Sequence, residues 1–574
     1  MGHAAYSKRP DPNGPRPFAT PFDQINPERK LTIWSFVGVE DNNEEMPDYL
    51  EPPYSLQDIA MQQLSYLIRS TKQDWQTKFR NPDIRVKWKE EIIKQEQDAN
   101  KGDSALTPEM IDYVLDELEM HERDEQQPQG IRHSCFDKVY ESDRLIPQES
   151  LRSLKTCVAK LEEVSDEQKD WHPGSNNQVL DLVHPSLFPL MYGKTPIFKR
   201  DEFGNATKEM TTAPAPRNAM HSTSTKFQWL PTDFEIAADG SVTIKSYINN
   251  LHPEKHKATY GVLAGIFECF VPMFERLLSD CQAPPPRRIP VTADHAYGWY
   301  KEEYDFDAHD GDDDDYEEFL ETREIVLPAP EKPFEMPAPV TDDTLAFKIR
   351  GRTVQVIVKL ANIHLTPDKP EYPGGSWHVE GMQNEEIVAS GIYYYDEDNI
   401  SESRLAFRGT FDQEDLPYEQ CDNRGVRTVF GIEDEGPILQ DYGSLITKGG
   451  RAIAFPNIYQ HCVSPFELQD KSKPGHRKIL VFFLVDPLKR IPSTSDVPPQ
   501  QLEWVSSELD KPRIKADTLP SLPAELWSQA LKATDMMSLD EAKKVREELM
   551  RERQALVKQN DQIIFQRPFS LCEH

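Results

Sequence analysis

Within GGSWHVEG (374–381), His378 and Glu380 stand two apart. On a strand such residues point to the same face, so an imidazole and a carboxylate converge on one point. Further along, AFPNIYQHCVSP supplies His461 directly after an apolar run. Two histidines and one carboxylate form the facial set that leaves open positions on non-haem Fe(II). GHRKILVFFLVDP then puts Arg477 at the head of another apolar strand. A permanently charged fork there suits the far carboxylate of a bidentate 2-oxo acid. His-x-Glu alone is a weak signal. Its weight comes from the order around it: strand, His-x-Glu, strands, strand, His, Gly-x-Arg, strand.

Other residues in this stretch are open to more than one reading. Tyr393 and Tyr395 share a face of their strand and are candidates to hydrogen-bond a co-substrate, or to pack in the core. Asn362 and His364 share a face of the preceding strand and either line the pocket or serve a structural role. Trp377 points away from His378 and is expected in the core. His476 lacks the strand lead-in that favours His461 as the second imidazole.

The elements that must hold these residues are short β-branched and aromatic runs: RTVQVIVKLANIHLTP, EEIVASGIYYYD, SRLAFRGTF, GRAIAFPN and RKILVFFLVDP. Gly, Pro and Asp turns separate them without a helix-length pattern, which predicts an antiparallel sandwich or barrel over 345–490. Before it the period is helical. SLQDIAMQQLSYLIRS and, after Thr107-Pro108, PEMIDYVLDELEMHERD both show an apolar stripe. FQWLPTDFEIAADGSVTIKSYI turns at Asp239-Gly240 as a hairpin, and a long amphipathic helix follows over about 254–280. The fold class is therefore α+β. It comprises an extended arm (1–50, with LTIWSFVG as one strand), a mostly helical domain with a hairpin (51–325), a Pro-rich connector (326–344), the β-barrel (345–490) and a C-terminal extension with helices (491–574). That extension contains the capping box Ser538-Leu-Asp-Glu541.

Composition narrows the function classes. The 574 residues carry a formal charge of −33, with 98 acidic and 65 basic residues. Nucleic-acid phosphates and anionic lipid would repel such a chain, and no Lys/Arg run offsets this, so neither is an expected partner. The acidic stretch DFDAHDGDDDDYEEF fails the EF-hand pattern, with Asp310 at the sixth position and Tyr316 at the twelfth, and reads as a solvated loop. Seven scattered cysteines without CxxC indicate free thiols in a reducing compartment. With no signal or spanning segment, the expectation is a soluble cytoplasmic protein acting on a small molecule, or on a protein side chain.

The order His378-x-Glu380, His461, Arg477 resembles the Fe(II)/2-oxoglutarate oxygenases built on a double-stranded β-helix, or jelly-roll barrel, over about 345–487. IYYYDEDNISESRLAF is similar to the segment of prolyl-hydroxylase-like members in which a strand ending in Tyr precedes a loop. More broadly, residues 30–510 resemble a fungal family of long acidic proteins through phrases such as GGSWHVEGM, YYYDEDNI, FPNIYQHCV, HRKILVFFLVDP and VLDLVHPSLFPLMYG. The oxygenase resemblance implies His378, Glu380 and His461 as iron ligands and as the catalytic centre. It implies Arg477 as the 2-oxoglutarate anchor, O₂ as second co-substrate, and hydroxylation or desaturation as the outcome. Two departures accompany it. Glu380 stands where Asp is commoner, and the long His461–Arg477 interval leaves Lys478 and Arg490 as alternative anchors. A cupin-type or idle metal-binding barrel acting as a scaffold is the competing reading.

Overall fold

Alternation along one strand organises the molecule. In Gly475–Val485, residues Ile479, Val481, Phe483 and Val485 turn to one face and Leu480, Phe482 and Leu484 to the other, and both sets join apolar cores. A strand apolar on both faces must lie inside a sheet that is covered on both sides. The computed structural model describes residues 18–22, 51–98, 106–201, 206–216, 222–291, 300, 318–319, 321–411, 416–418, 422–509 and 536–571.

The helices used below are α1 (Leu56–Thr71), α2 (Pro108–Gln126), α3 (Gln148–Glu162), α4 (Lys257–Gln282), α5 (Asn423–Phe430) and α6 (Leu539–Asn560). The strands are β1 (Arg132–His133), β2 (Tyr140–Ser142), β3 (Val179–Val183), β4 (Thr232–Ile236), β5 (Val242–Ile244), β6 (Thr353–Leu365) and β7 (Ile387–Asp398). They continue with β8 (Ser403–Thr410), β9 (Leu439–Thr447), β10 (Ala452–Pro456), β11 (Gln460–Val463) and β12 (Gly475–Val485). The helix starts follow their local chemistry. Ser55 and Thr107 accept the backbone N–H groups that open α1 and α2, and Ser538 with Glu541 closes a capping box on α6.

A nine-stranded sheet runs β1-β2-β10-β7-β12-β6-β4-β5, with β3 also paired to β6. A second sheet of order β9-β8-β11 faces its central part, and all the pairings named are antiparallel. The two sheets share an inner core of Ile357, Ile392, Tyr394, Phe455, Val481 and Phe483 from the large one and Leu405, Phe407, Tyr442 and Leu445 from the small one. On the outer face of the large sheet, α4 lays Phe267, Phe270 and Phe274 over Val358, Leu360, Tyr393 and Phe482. The helix sits so close that a Cβ on Gly391 would stand 2.8 Å from the Phe274 ring, so this strand position needs glycine.

The expected helices, the Asp239-Gly240 hairpin and all five strand runs are present. The region before the Pro-rich connector is less helical than its periodicity suggests. β1 to β5 all come from it and extend the same large sheet, since short pairs such as Arg132–His133 are too brief to show a period of two. α5 interrupts the strand-rich segment, an insertion of one short amphipathic helix between β8 and β9. The strand expected at 31–38 and most of the acidic stretch 301–323 lie outside the described residues. Among the described residues no helix is long and apolar enough to cross a membrane.

Candidate metal centre

The segment carrying His378 joins the small sheet through one bridge. His378 N–H donates to the His461 carbonyl at 3.2 Å, and His461 N–H returns a bond to the His378 carbonyl at 3.0 Å. Gly374 brings the chain in. Its φ is +89°, and a Cβ there would lie 2.7 Å from the Val463 carbonyl oxygen, so only glycine lets this loop approach β11. β11 is itself fixed by β8, with His461 paired to Phe407 and ring contacts to Phe455 behind it.

The result is a cluster. His378 Nε2 is 3.6 Å and His461 Nε2 3.3 Å from Glu380 Oε1, and the imidazole centroids are 4.4 Å apart. One donor atom from each of the three lies within 4.8 Å of the others. Exposure is graded: the side chains of His378, Glu380 and His461 are 35%, 15% and 5% accessible, so the cluster opens past His378. His378 Nδ1 is 2.7 Å from the Ser376 carbonyl oxygen. A carbonyl can only accept, so Nδ1 carries the proton and Nε2 keeps its lone pair for a metal. Burial alone would raise the Glu380 carboxyl, but the two imidazoles beside it hold it well below the usual range. Glu380 is thus an anion facing two nitrogen donors, and its extra methylene does not prevent it from reaching them.

Asn457 was not singled out from sequence, although it belongs to FPNIYQH. It is buried, its Oδ1 accepts the Glu380 N–H at 2.8 Å, and its Nδ2 donates to the carbonyls of Glu380 (2.9 Å) and Ile387 (3.0 Å). That clamp ties the carboxylate's backbone to the start of β7.

Arg477 is buried on the inner face, as alternation requires, with Lys478 turned outward to Glu162 and His476 to Asp396. Its guanidinium donates to Ser403 Oγ, to Glu397 at 3.1 Å and to the Thr447 carbonyl at 3.3 Å, while its Nε has no partner. Arg490, the other alternative, is engaged with Asp233 and Asp496. Ser403 stands four residues along β8 from Phe407, the partner of His461, or about 13 Å at roughly 3.3 Å per residue.

Several expectations need correction. Tyr393 and Tyr395 belong to the outer core under α4, and Tyr395 donates to Asn362. Neither faces the cluster. The residue between them, Tyr394, is on the inner face with Arg477 lying 5.2 Å from its ring centre. Counting faces outward from a turn fixes only relative parity, and the β-bulge between Tyr394 and Asp396 hides the absolute one. Asn362 and His364 also face outward, onto Glu162 and Trp171. Trp377 is half-buried under Arg408, not in the core.

His172, Asp181 and His184 form a second set with ligand atoms within 4.8 Å. Its chemistry differs. Ser186 N–H donates to His184 Nδ1 at 3.2 Å, which puts the proton of a neutral ring on Nε2 and leaves no free lone pair for a metal. His172 Nδ1 bonds Asp181 at 2.8 Å, and Arg546 stands 3.8 Å from the same carboxylate.

Fold and site together define a two-sheet antiparallel β structure with helices on its outer face and a two-histidine, one-carboxylate cluster at the rim of the inner core. Residues 108–508 match the family described as a protein of unknown function, DUF4246, and the chain belongs to that family. No curated protein matches it. Among solved structures it is similar to the Fe(II)/α-ketoglutarate-dependent dioxygenase TqaL, at 8% identity over 72% of this chain and 96% of that one, with a TM-score of 0.25. It is also similar to a bsmA homologue from Methylobium petroleophilum, at 10% identity over 58% and 82% with a TM-score of 0.21. Oxalate decarboxylase from Bacillus subtilis matches at 12% identity over 36% and 38%, with a TM-score of 0.12. Scores this low fix neither fold nor chemistry.

Proposed function

We propose that the protein is an Fe(II)- and 2-oxoglutarate-dependent dioxygenase that hydroxylates or desaturates a small molecule, on a double-stranded β-helix formed by the two facing sheets. The observation that carries this reading is the cluster itself: two imidazole nitrogens and one carboxylate oxygen converge, with the His378 tautomer fixed by a carbonyl for metal ligation. Two facing antiparallel sheets of strand orders β10-β7-β12-β6 and β9-β8-β11, with the His378 segment bridged to β11, support this reading.

The donor set fits a divalent iron, and His378, Glu380 and His461 would hold it on one face. When bound, iron with 2-oxoglutarate supplies the oxidising power for C–H cleavage from O₂, a task no side chain performs. The chain's own residues do the rest. Glu380 neutralises charge at the metal side, Asn457 fixes its backbone, and the apolar wall of Val481, Phe483 and Phe455 excludes water. Arg477 offers a cation for the co-substrate's far carboxylate, with the Tyr394 ring beside it.

A second reading has one specific support: Arg477 already has Glu397, Ser403 and the Thr447 carbonyl as partners, so its burial does not require a ligand. On that reading the barrel binds metal and serves as a scaffold. One experiment separates them. Purified protein is loaded anaerobically with Fe(II), given 2-oxoglutarate, then exposed to O₂ against pools of metabolites. The oxygenase releases succinate; a scaffold retains stoichiometric metal and releases none.

A further inference from the structure

We propose that Lys359 is the carboxylate-binding cation of the substrate pocket and that the oxidised substrate is therefore an organic acid. The inference rests on the oxygenase reading of the same cluster and adds the class of molecule it acts on.

Position comes first. On β6, Val356, Val358 and Leu360 face the outer core and Ile357 faces the inner one, so Lys359 shares the inner face. Register agrees, because Lys359 lies opposite Val481, an inner-core residue of β12. The row through Ile357 runs across Phe483 and Ser390 to Phe455, whose ring centre lies 4.8 Å from that of His461. Lys359 is the next inner-facing residue from that row. Arg477, opposite Ile363, is two inner-facing positions beyond Lys359.

The second observation is that this ammonium is unengaged. Lys359 is half-buried, yet among the described residues its ammonium makes no hydrogen bond and no ion pair. In a chain with 98 acidic residues that is unexpected. On the neighbouring strand Asp181 lies opposite Ala361, the next inner-facing position from Lys359, so the second cluster borders it. The nearby carboxylates are matched except for Asp181 Oδ1, which is buried without a hydrogen-bond partner, and Lys359 makes no ion pair with it. Glu380 has its two imidazoles, and Asp181 has His172 and Arg546. A cation partly removed from water is costly without an anion, and a charge-assisted contact to a ligand carboxylate removes that cost.

Two carboxylates could come to this pocket, the co-substrate's and the substrate's. The co-substrate's demands are met elsewhere, by the metal at its 2-oxo acid end and by Arg477 at the other. Lys359 is left for the molecule being oxidised. An anchored carboxylate near the metal would also fix which C–H bond faces the oxidant, so the same contact sets position.

The test uses full-length protein loaded with Co(II) and 2-oxoglutarate under argon, where nothing turns over. Binding is measured calorimetrically for α-amino acids, hydroxy acids, dicarboxylic acids and fatty acids of graded length, each beside its uncharged amide. At least one acid should bind, and its amide should bind at least 10-fold more weakly. Lys359→Met should weaken the acid by about 10- to 150-fold, the range of one charge-assisted hydrogen bond, and leave the amide unchanged. Lys359→Arg should restore part of the loss. Metal stoichiometry and 2-oxoglutarate affinity should equal the parent's in both variants, which also verifies folding. The proposal is overturned if no acid binds, if amides bind as well as acids, or if Lys359→Met binds the acid like the parent. It is equally overturned if Lys359→Met loses 2-oxoglutarate instead, since Lys359 would then serve the co-substrate. Failure of the parent to hold Co(II) at all would be a failure of the oxygenase reading and is seen before any acid is added.

Discussion

His378 and His461 exchange both of their backbone hydrogen bonds, at 3.2 and 3.0 Å, so the two imidazoles are a cross-strand pair with centroids 4.4 Å apart. Their spacing is a property of the β ladder, not of the side chains. The backbone itself therefore assembles the cluster.

From this follows a linkage prediction. His378→Ala, Glu380→Ala and His461→Ala should each fold, because the apolar cores do not depend on the cluster, and each should lose stoichiometric Fe(II) or Co(II) binding. In the parent, metal at 100 times its dissociation constant should raise stability by about 2.7 kcal/mol, and the three variants should show no such rise. His476→Ala, whose ring faces Asp396, should behave like the parent. Full metal-dependent stabilisation in any of the three ligand variants would remove that residue from the site.

Arg477→Gln should separate metal from co-substrate. Fe(II) affinity should stay within a few-fold of the parent, whereas 2-oxoglutarate binding should weaken by roughly 30- to 1000-fold, corresponding to about 2–4 kcal/mol for a bidentate charged contact. Tyr393→Phe and Tyr395→Phe should leave 2-oxoglutarate affinity unchanged, since both rings lie under α4. A parental 2-oxoglutarate affinity in Arg477→Gln would favour the scaffold reading, in which Glu397 and Ser403 suffice as partners.

Much of this was legible in the sequence because it rests on periods that residues declare locally. RKILVFFLV shows its burial on both faces, and His378-x-Glu380 shows its shared face, by alternation alone. The position of Arg477 follows from the same parity. What was hidden depends on register or on partners distant in sequence. Tyr394 was passed over for its neighbours because only pairing with β12 reveals which face is inside. Lys359 carries no signal in the sequence, and only its pairing with Val481 places it on the inner face. β1 to β5 are too short to declare a period and become strands through the large sheet they extend. Asn457 lacks any signal of its own, since its role is to satisfy backbone groups of a loop that precedes it by a whole sheet.

Acid should destabilise the N-terminal helices first. His121 in α2 is 1% exposed, and burial, reinforced by the Arg69 charge, lowers its pKa to about 3. A folded value below the unfolded one means that only the unfolded chain takes up this proton between about pH 6.5 and pH 3. Stability contributed by the neutral ring is fully present above pH 6.5 and falls as pH drops through that window, by up to about 1.4 kcal/mol per pH unit. Glu117 acts in the same direction at lower pH. Burial would raise its carboxyl, but Arg288 and His121 bring it down to about 2, so its contribution is lost below the ordinary carboxylate range. Denaturant melts of His121→Met between pH 4 and 6 should show a pH slope shallower by about one proton than the parent's. An unchanged slope would mean that His121 titrates normally in the folded protein.

Asn457 provides the sharpest check that the cluster is positioned by its surroundings. Asn457→Ala strands the Glu380 N–H and two carbonyls, at a cost of about 1–3 kcal/mol for each group left unsatisfied. That loss alone would not distinguish a positioning role from general stability. Asn362 supplies the comparison. It is equally buried and bonds Glu162 and Tyr395, but on the outer face, away from the cluster. Asn362→Ala should lower the melting temperature and leave Co(II) affinity unchanged. Asn457→Ala should lower both, with metal affinity reduced about 10- to 100-fold, the usual consequence of losing a group that orients a ligand. Asn457→Asp, which keeps the acceptor for the Glu380 N–H but sets a buried anion against the two carbonyl oxygens, should be no more stable than the alanine variant and bind metal no better. Equal metal affinity in the Asn362 and Asn457 alanine variants would show that Glu380 is held by the β ladder alone.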